Sequence, residues 1–431
     1  MTRLLPKVAI ISFLSMTPII SFLNTLGIQA SIYKIIMGLL CYGTVILFFM
    51  KNSSRIPKDF LLLVIMVLLY FGFTCLVYSE YMSTLPPVMW GSVISLAGGG
   101  ILSYVYPRMF SDLEQIKKCI LISAIINLLH YSIVGINVLN VGYWVVIDEA
   151  GITRHYESNM SYGYQVLFCC VIFIYYAFVS KGWYRWMLYG LAGISAFEIM
   201  LLGSRGALLS VFVSILMLYI ASHREKLRNA LSGVSIFGII VLLLFIIFNA
   251  EIMSWISDAL EKVGYNSRTI SLTISGSFLD DNGRTGIAAQ AMEYISNSFF
   301  FGNGMLSDRY YLGTYCHNIF LEILFDFGVP IGTAIIIWLI VKIAKYLKTS
   351  SKDELLLFVA ISSIWFTRLL VSSSFWNDSF FWMSIAFMYT KFKNIYQESI
   401  ASGANEYDNS ENKKISKKKN RIQEMEKGKP L

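Results

Sequence analysis

Charge is scarce in this chain of 431 residues: Asp, Glu, Lys and Arg make up 14%, against 56% hydrophobic residues and a mean hydropathy of +0.61. Soluble domains carry about a quarter charged residues, so the scarcity excludes an ordinary water-soluble globule and implies a chain solvated by lipid. Cysteine is equally thin. Of the six, Cys41, Cys75, Cys119, Cys169 and Cys170 fall inside apolar runs, and only Cys316 falls in a polar segment. That pattern excludes a disulfide framework and argues against a cysteine-held metal. No internal repeat and no second folded domain are visible. A cleavable leader is not expected either, because the basic start Met1–Lys7 runs into an apolar stretch long enough to be retained as a span.

What is present is a series of apolar runs. About 20 such residues cross a hydrocarbon core, and twelve spans are expected, over 8–28, 32–50, 60–78, 86–106, 119–139, 161–180, 185–202, 205–221, 231–249, 318–341, 355–374 and 376–392. The fold class is therefore an all-α polytopic membrane protein, with a transmembrane domain over 1–393 and a disordered basic tail over 394–431. The net charge of +8 speaks for topology, not for nucleic acid. Lys and Arg gather in alternate loops and in the tail, which the positive-inside rule assigns to the cytoplasm together with both termini. The cations left over are Lys34, Arg154, Arg205, Lys262, Arg268, Arg284, Arg309 and Arg368. Most of these are arginine, whereas lysine dominates the loops. Topology needs only positive charge, so the bias toward a planar, bidentate fork suggests recognition of phosphate or carboxylate oxygens.

Two segments expected on the outside are long. The first, Asn140–Met160, carries Arg154 and His155 among aromatics. The second, over 250–316, opens with an amphipathic helix whose apolar face holds Ile252, Trp255, Ile256, Leu260 and Val263. That helix is expected to lie on the membrane surface or to lid the bundle. A second helix is predicted over roughly 285–299. The chain is organised around the stretch from Gly283 to Trp338, where a cation and an imidazole are expected in one polar segment entering a membrane.

Arg205 stands in Gly-Ser-Arg-Gly between two spans, where the glycines allow other backbone or a ligand to come close; the bland alternative is a snorkelling interfacial arginine. Arg284 follows an Asp-Asp-Asn-Gly turn just before a helix, a place for an anion or for a partner of Asp280 and Asp281. His317 precedes a span and could exchange a proton near neutral pH, or simply cap a helix. Asn318, Glu322 and Asp326 form one polar stripe at spacing four, with Arg368 the expected partner of its carboxylates. Glu198 is a further buried-charge candidate, and His130 is read as a packing or hydrogen-bonding residue.

The Gly-Ser-Arg-Gly-Ala-Leu-Leu turn, the long segment with its arginine, Gly302-Asn303-Gly304, the His317-Asn318 entry with Leu321-Glu322, and Gly328-Val-Pro-Ile-Gly332 together resemble one family. It is the O-antigen ligase and O-antigen or capsular polysaccharide polymerase superfamily of bacterial membrane glycosyltransferases. The resemblance implies a GT-C-type fold and cofactor-free, metal-independent transfer of a glycan from undecaprenyl pyrophosphate at the outer face of the plasma membrane. It implies catalytic roles for Arg205, Arg284 and His317. Asn318, Glu322, Arg368, Arg309 and Arg154 are, from their own placement, expected to bind substrate. Members often have a tryptophan shortly after the loop arginine, where Ile287-Ala288-Ala289 stands here. Expected partners are an undecaprenyl-pyrophosphate-linked oligosaccharide, membrane lipid, and a chain-length regulator and flippase of the same pathway; no nucleic acid is expected. The activity expected is repeat-unit polymerisation, with a ligase or a lipid-oligosaccharide flippase as alternatives.

Overall fold

The computed structural model describes residues 4–78, 80, 100–147, 153–156, 159–223, 251–277, 280 and 283–392. Among these, eight helices are long and apolar enough to cross a membrane, or nine if one bent pair counts as a span. The chain is thus a polytopic helical membrane protein. The bent pair is α1 (Leu5–Leu14) and α2 (Met16–Thr25), which meet at 78°. Next come α3 (Ala30–Lys51), α4 (Lys58–Val77), α5 (Leu113–Val141), α6 (Met160–Val179), α7 (Trp183–Leu202) and α8 (Arg205–Ser222). A helix over 251–261 (α9), α10 (Arg268–Ile274), α11 (Arg284–Asn297) and α12 (Asp308–Tyr311) follow. The last three are α13 (Ile319–Thr349), α14 (Lys352–Val371) and α15 (Ser379–Tyr389). Of the expected spans, 231–249 lies outside the described residues, as do most of 86–106 and the tail.

The spans depart from plain rods where the sequence offers a reason. The expected span 8–28 is broken at Ser15, and Asn127 of α5 donates to the freed carbonyl of Leu14 at 3.0 Å. A backbone acceptor inside a membrane needs such a partner. α15 has 11 residues, roughly 16 Å of helix. It is thus about half of a hydrocarbon core, where a full span over 376–392 is expected from the sequence.

The core is centred on α6 and α14. From Val166 to Tyr175 every side chain of α6 is buried, as are most of α14 from Leu355 to Trp365. Helices α5, α7 and α8 pack around α6, and α8 and α15 pack on α14. At one end of the bundle the basic loops meet: Arg108 pairs with Asp59 at 2.9 Å, and Lys117 bridges Glu114 and Asp353. The long segments cover the opposite end.

There the structure adds a hairpin that the sequence did not announce. β1 (Trp144–Ile147) pairs antiparallel with β2 (Thr153–Tyr156), Val146 facing Arg154. Trp144 is buried against Tyr162, with ring centroids 4.9 Å apart. The α9 helix is amphipathic as expected. Leu260 is buried and Ile256 packs on the core, while Trp255 is 73% and Ile252 40% exposed. Its apolar face is therefore shared between the bundle and the surroundings.

Candidate active site

Three segments meet at the end of the bundle opposite the basic loops: the α7–α8 turn, the 267–277 segment, and the loop leading into α13. The turn is tight because Gly203 packs on Gly163; a Cβ at Gly203 would lie 2.9 Å from the Cα of Gly163. A Cβ at Gly206 would lie 2.5 Å from the Tyr164 hydroxyl. The space expected beside these glycines is thus filled by α6. Ser204 caps α8 and places Arg205 at its first turn.

The 267–277 segment is strapped across this turn. Thr269 donates to the carbonyl of Gly203 at 3.0 Å and Ser267 to that of Met200 at 3.4 Å. Arg205 donates to the carbonyls of Ser277 at 2.7 Å and Asp280 at 2.5 Å. Two donors of Arg205 are therefore spent on holding the strap, which makes it a fastener as well as a charge. Arg268, between the two strap anchors, is exposed, and its charge is felt at Arg205. The sequence reading counted Arg268 among the leftover cations without singling it out.

Arg284 opens α11, as the turn predicted, and is half-buried. Among the described residues its guanidinium makes no hydrogen bond and no ion pair, so it does not balance Asp280. Its charge reaches Arg205, His317 and Tyr164. The three groups singled out from the sequence thus share one electrostatic neighbourhood.

His317 is held in the left-handed backbone region, at φ 54°, which costs a residue with a Cβ about 1–2 kcal/mol. Its ring lies on Tyr315 at 4.1 Å, and Nδ1 is buried without a hydrogen-bond partner. Burial, and then the charge of Arg284, lower its pKa; the Val371 backbone and Asp308 act the other way. An imidazole kept neutral near pH 7 is a base. Asn318 caps α13 by accepting from the backbone of Phe320 and Leu321 at 2.9 and 3.2 Å.

The polar stripe behind His317 is arranged differently from expectation. Glu322 accepts from Arg309 at 3.1 Å, from Ser374, and from the Phe375 backbone at 3.2 Å. Arg309 also pairs with Asp308, and the side-chain exposures are 11% for Arg309, 2% for Glu322 and 0% for Asp308. Burial alone would lower the Arg309 pKa, but the two carboxylates raise it. Arg309 and Glu322, expected to bind substrate, are turned to one another inside the protein. Arg368 is a correction too: its partner is Asp378, through two guanidinium nitrogens, not Glu322 or Asp326. Asp378 in turn caps α15. Asp326 accepts from the Trp376 indole at 2.6 Å. Glu198 accepts from Ser132 and Tyr162, away from Arg205. His130 packs edge-on to Tyr131, as expected. The Arg154 side chain lies outside the described residues.

The glycine motifs explain one another. α13 is interrupted at Gly328, with φ 76° and ψ 168°, so the segment 319–327 ends in free carbonyls. The Gly302-Asn303-Gly304 turn supplies the donors: Asn303 N–H to Phe325 at 2.8 Å and Gly304 N–H to Asp326 at 3.1 Å. Val329 N–H returns a bond to Phe299 at 2.7 Å. Only glycines permit this approach, since a Cβ on Gly302 would sit 2.2 Å from the Asp326 carbonyl oxygen. The stretch after the break is roughly 30 Å long, enough to span alone. Glu322 and Asp326 therefore belong to a half-helix at the site end. Directly after it, an apolar groove of about 390 Å³ runs between α8, α13 and α14, from Ile319 and Phe320 to Leu347 and Leu355.

No curated protein and no solved structure matches this chain. A family model, Wzy_C, described as O-antigen ligase, matches residues 190–339, a stretch that holds Arg205, Arg268, Arg284, the Gly-Asn-Gly turn, His317 and the broken helix. Over this stretch, about a third of its length, the chain is similar to the O-antigen ligase family.

Proposed function

We propose that this chain is a glycosyltransferase of twelve-span, GT-C-type architecture. It would polymerise undecaprenyl-pyrophosphate-linked oligosaccharide repeat units into O-antigen or capsular polysaccharide at the outer face of the plasma membrane. The observation that carries the reading is the half-buried Arg284 guanidinium, unpaired among the described residues and close enough to Arg205 and His317 for its charge to act on both. A diphosphate is the ligand such a site needs. It satisfies the free fork, and it offsets the mutual repulsion of Arg205, Arg268 and Arg284.

In the reaction, the acceptor sugar hydroxyl forms a bond to the anomeric carbon of the growing chain. The bond from that carbon to the phosphate oxygen breaks, and the electron pair leaves with undecaprenyl pyrophosphate. Arg284 and Arg205 stabilise the charge that develops there. His317 takes the hydroxyl proton, Nδ1 being the nitrogen with no hydrogen-bond partner among the described residues. Alignment of two lipid-held substrates supplies much of the remaining acceleration. The apolar groove beginning at Ile319 and Phe320 would take the polyprenyl chain, since it starts where the His317 loop ends.

The test supplies purified protein with a defined lipid-linked repeat unit and no other acceptor. A ladder of longer lipid-linked glycans is expected. The similarity to the O-antigen ligase family favours a second reading, ligation onto another acceptor. No ladder, with transfer only when a different lipid acceptor is added, would establish the ligase. Movement of the lipid-linked unit across a vesicle membrane without any new glycosidic bond would establish a flippase instead.

A further inference from the structure

We propose that Asp308 is the positioning residue that holds His317 in its working geometry. For catalysis this rests on the proposed function; as a statement about the imidazole it does not. Asp308 is fully buried, and both its oxygens are used. Oδ1 accepts from the Arg309 backbone at 3.0 Å and from its guanidinium, while Oδ2 accepts from the backbone N–H of Cys316 at 3.0 Å. The carboxylate thus closes the 308–316 loop on itself and fixes the peptide immediately before His317. On the far side, the Asn318 cap fixes the peptide immediately after it.

His317 is therefore a left-handed residue clamped between two anchored neighbours. A strained conformation persists only where its surroundings over-determine it, and these two anchors do so. The strain is not isolated. The other two residues with a Cβ at positive φ, among those described, are Leu306 and Ser373. One precedes Ser307 and Asp308; the other lies between Ser372, which meets the Tyr315 hydroxyl at 3.2 Å, and Ser374, which donates to Glu322. Through Arg309, Asp308 joins both loops to the α13 half-helix. The groups that bear on the imidazole are Arg284 from α11, Asp308 from α12, the Tyr315 ring, and the Val371 backbone at the end of α14. The Asp308 carboxylate favours the protonated ring and Arg284 opposes it.

A purely structural carboxylate would leave the imidazole's proton affinity alone, which makes the Asp308→Asn variant decisive. In a chain with His130, His155 and His223 replaced by glutamine, the rate at which diethyl pyrocarbonate modifies His317 is followed against pH. Loss of the negative charge should move the half-protonation point down. The acid limb of kcat should move with it, and kcat should fall about tenfold or more with KM little changed. An unmoved half-protonation point overturns the proposal. If Asp308→Asn does not accumulate in the membrane, Asp308→Glu carries the test: it keeps the charge but displaces the Cys316 anchor, so a lowered kcat is expected and an unchanged kcat overturns it. Normal chain extension by His317→Gln would defeat the base assignment of the proposed function, while the modification titration would still decide what Asp308 does.

Discussion

An arginine with no partner among the described residues and an arginine that has two backbone carbonyls cannot fail in the same way when removed. Arg284 holds no described neighbour in place, so Arg284→Ala is expected to abolish chain extension without lowering the amount of folded protein in the membrane. Arg284→Lys should recover little of the rate, because a point charge does not reproduce a bidentate fork. Full activity of the lysine variant, measured as the rate of ladder formation, would remove the diphosphate clamp from the mechanism. At His317 the sign of the pH dependence follows from the same neighbours. The base works as neutral imidazole, and burial and Arg284 hold its pKa below the usual histidine value. Activity should therefore persist into mildly acidic solution and be lost only as pH falls through the lowered value. Removing the guanidinium in Arg284→Ala should move the imidazole's titration upward, opposite to Asp308→Asn; any residual rate of transfer or the diethyl pyrocarbonate titration reads this.

Two elements owe their form to contacts distant in sequence. The strap over 267–277, with Asp280, is fastened to the α7–α8 turn by Arg205, Thr269 and Ser267. Arg205→Ala should therefore increase protease cleavage near Ser277 as well as stop the reaction, whereas Arg284→Ala should leave the cleavage pattern unchanged. Equal cleavage of both variants would deny Arg205 its fastening role. The broken α13 helix depends on the fit of Gly302 against Gly328. A Cβ at Gly302 meets backbone atoms on the far side and a positive φ as well, so Gly302→Ala should cost about 3 kcal/mol or more. Pro330 lies just after the break, where a proline needs no helical donor, and Pro330→Ala should cost under about 1 kcal/mol. Thermal unfolding in detergent compares the two; similar losses would mean that the proline, not the glycine contact, makes the break.

Across the whole molecule, charge is segregated by end. The basic loops meet around Asp59, Arg108 and Asp353, and the arginines of the candidate site lie at the other end of the bundle. Since the protein's own guanidiniums supply the positive charge in the proposed reaction, excess EDTA should leave the ladder intact. Dependence on added divalent cation would overturn that mechanism. The apolar groove between α8, α13 and α14 leads from the site along the bundle, which suits a substrate whose reactive group is at one end of a long lipid.

By itself the sequence determined the helical membrane architecture, because apolar runs of span length have no other stable arrangement in lipid. It also made the alternation of basic loops visible and singled out Arg205, Arg284 and His317 as candidates, since residue type and motif order are written along the chain. Which charges are free and which are spent was decided only by tertiary structure. Arg368 found Asp378 instead of Glu322, Arg309 and Glu322 found each other, and Arg205 found two carbonyls seventy and more residues away. Partner choice among buried charges depends on angles and distances of a few ångströms, which spacing along a helix does not encode. The break at Gly328 was hidden for the same reason. A helix interrupted inside an apolar run looks continuous until the Gly302 turn that satisfies its carbonyls is in place.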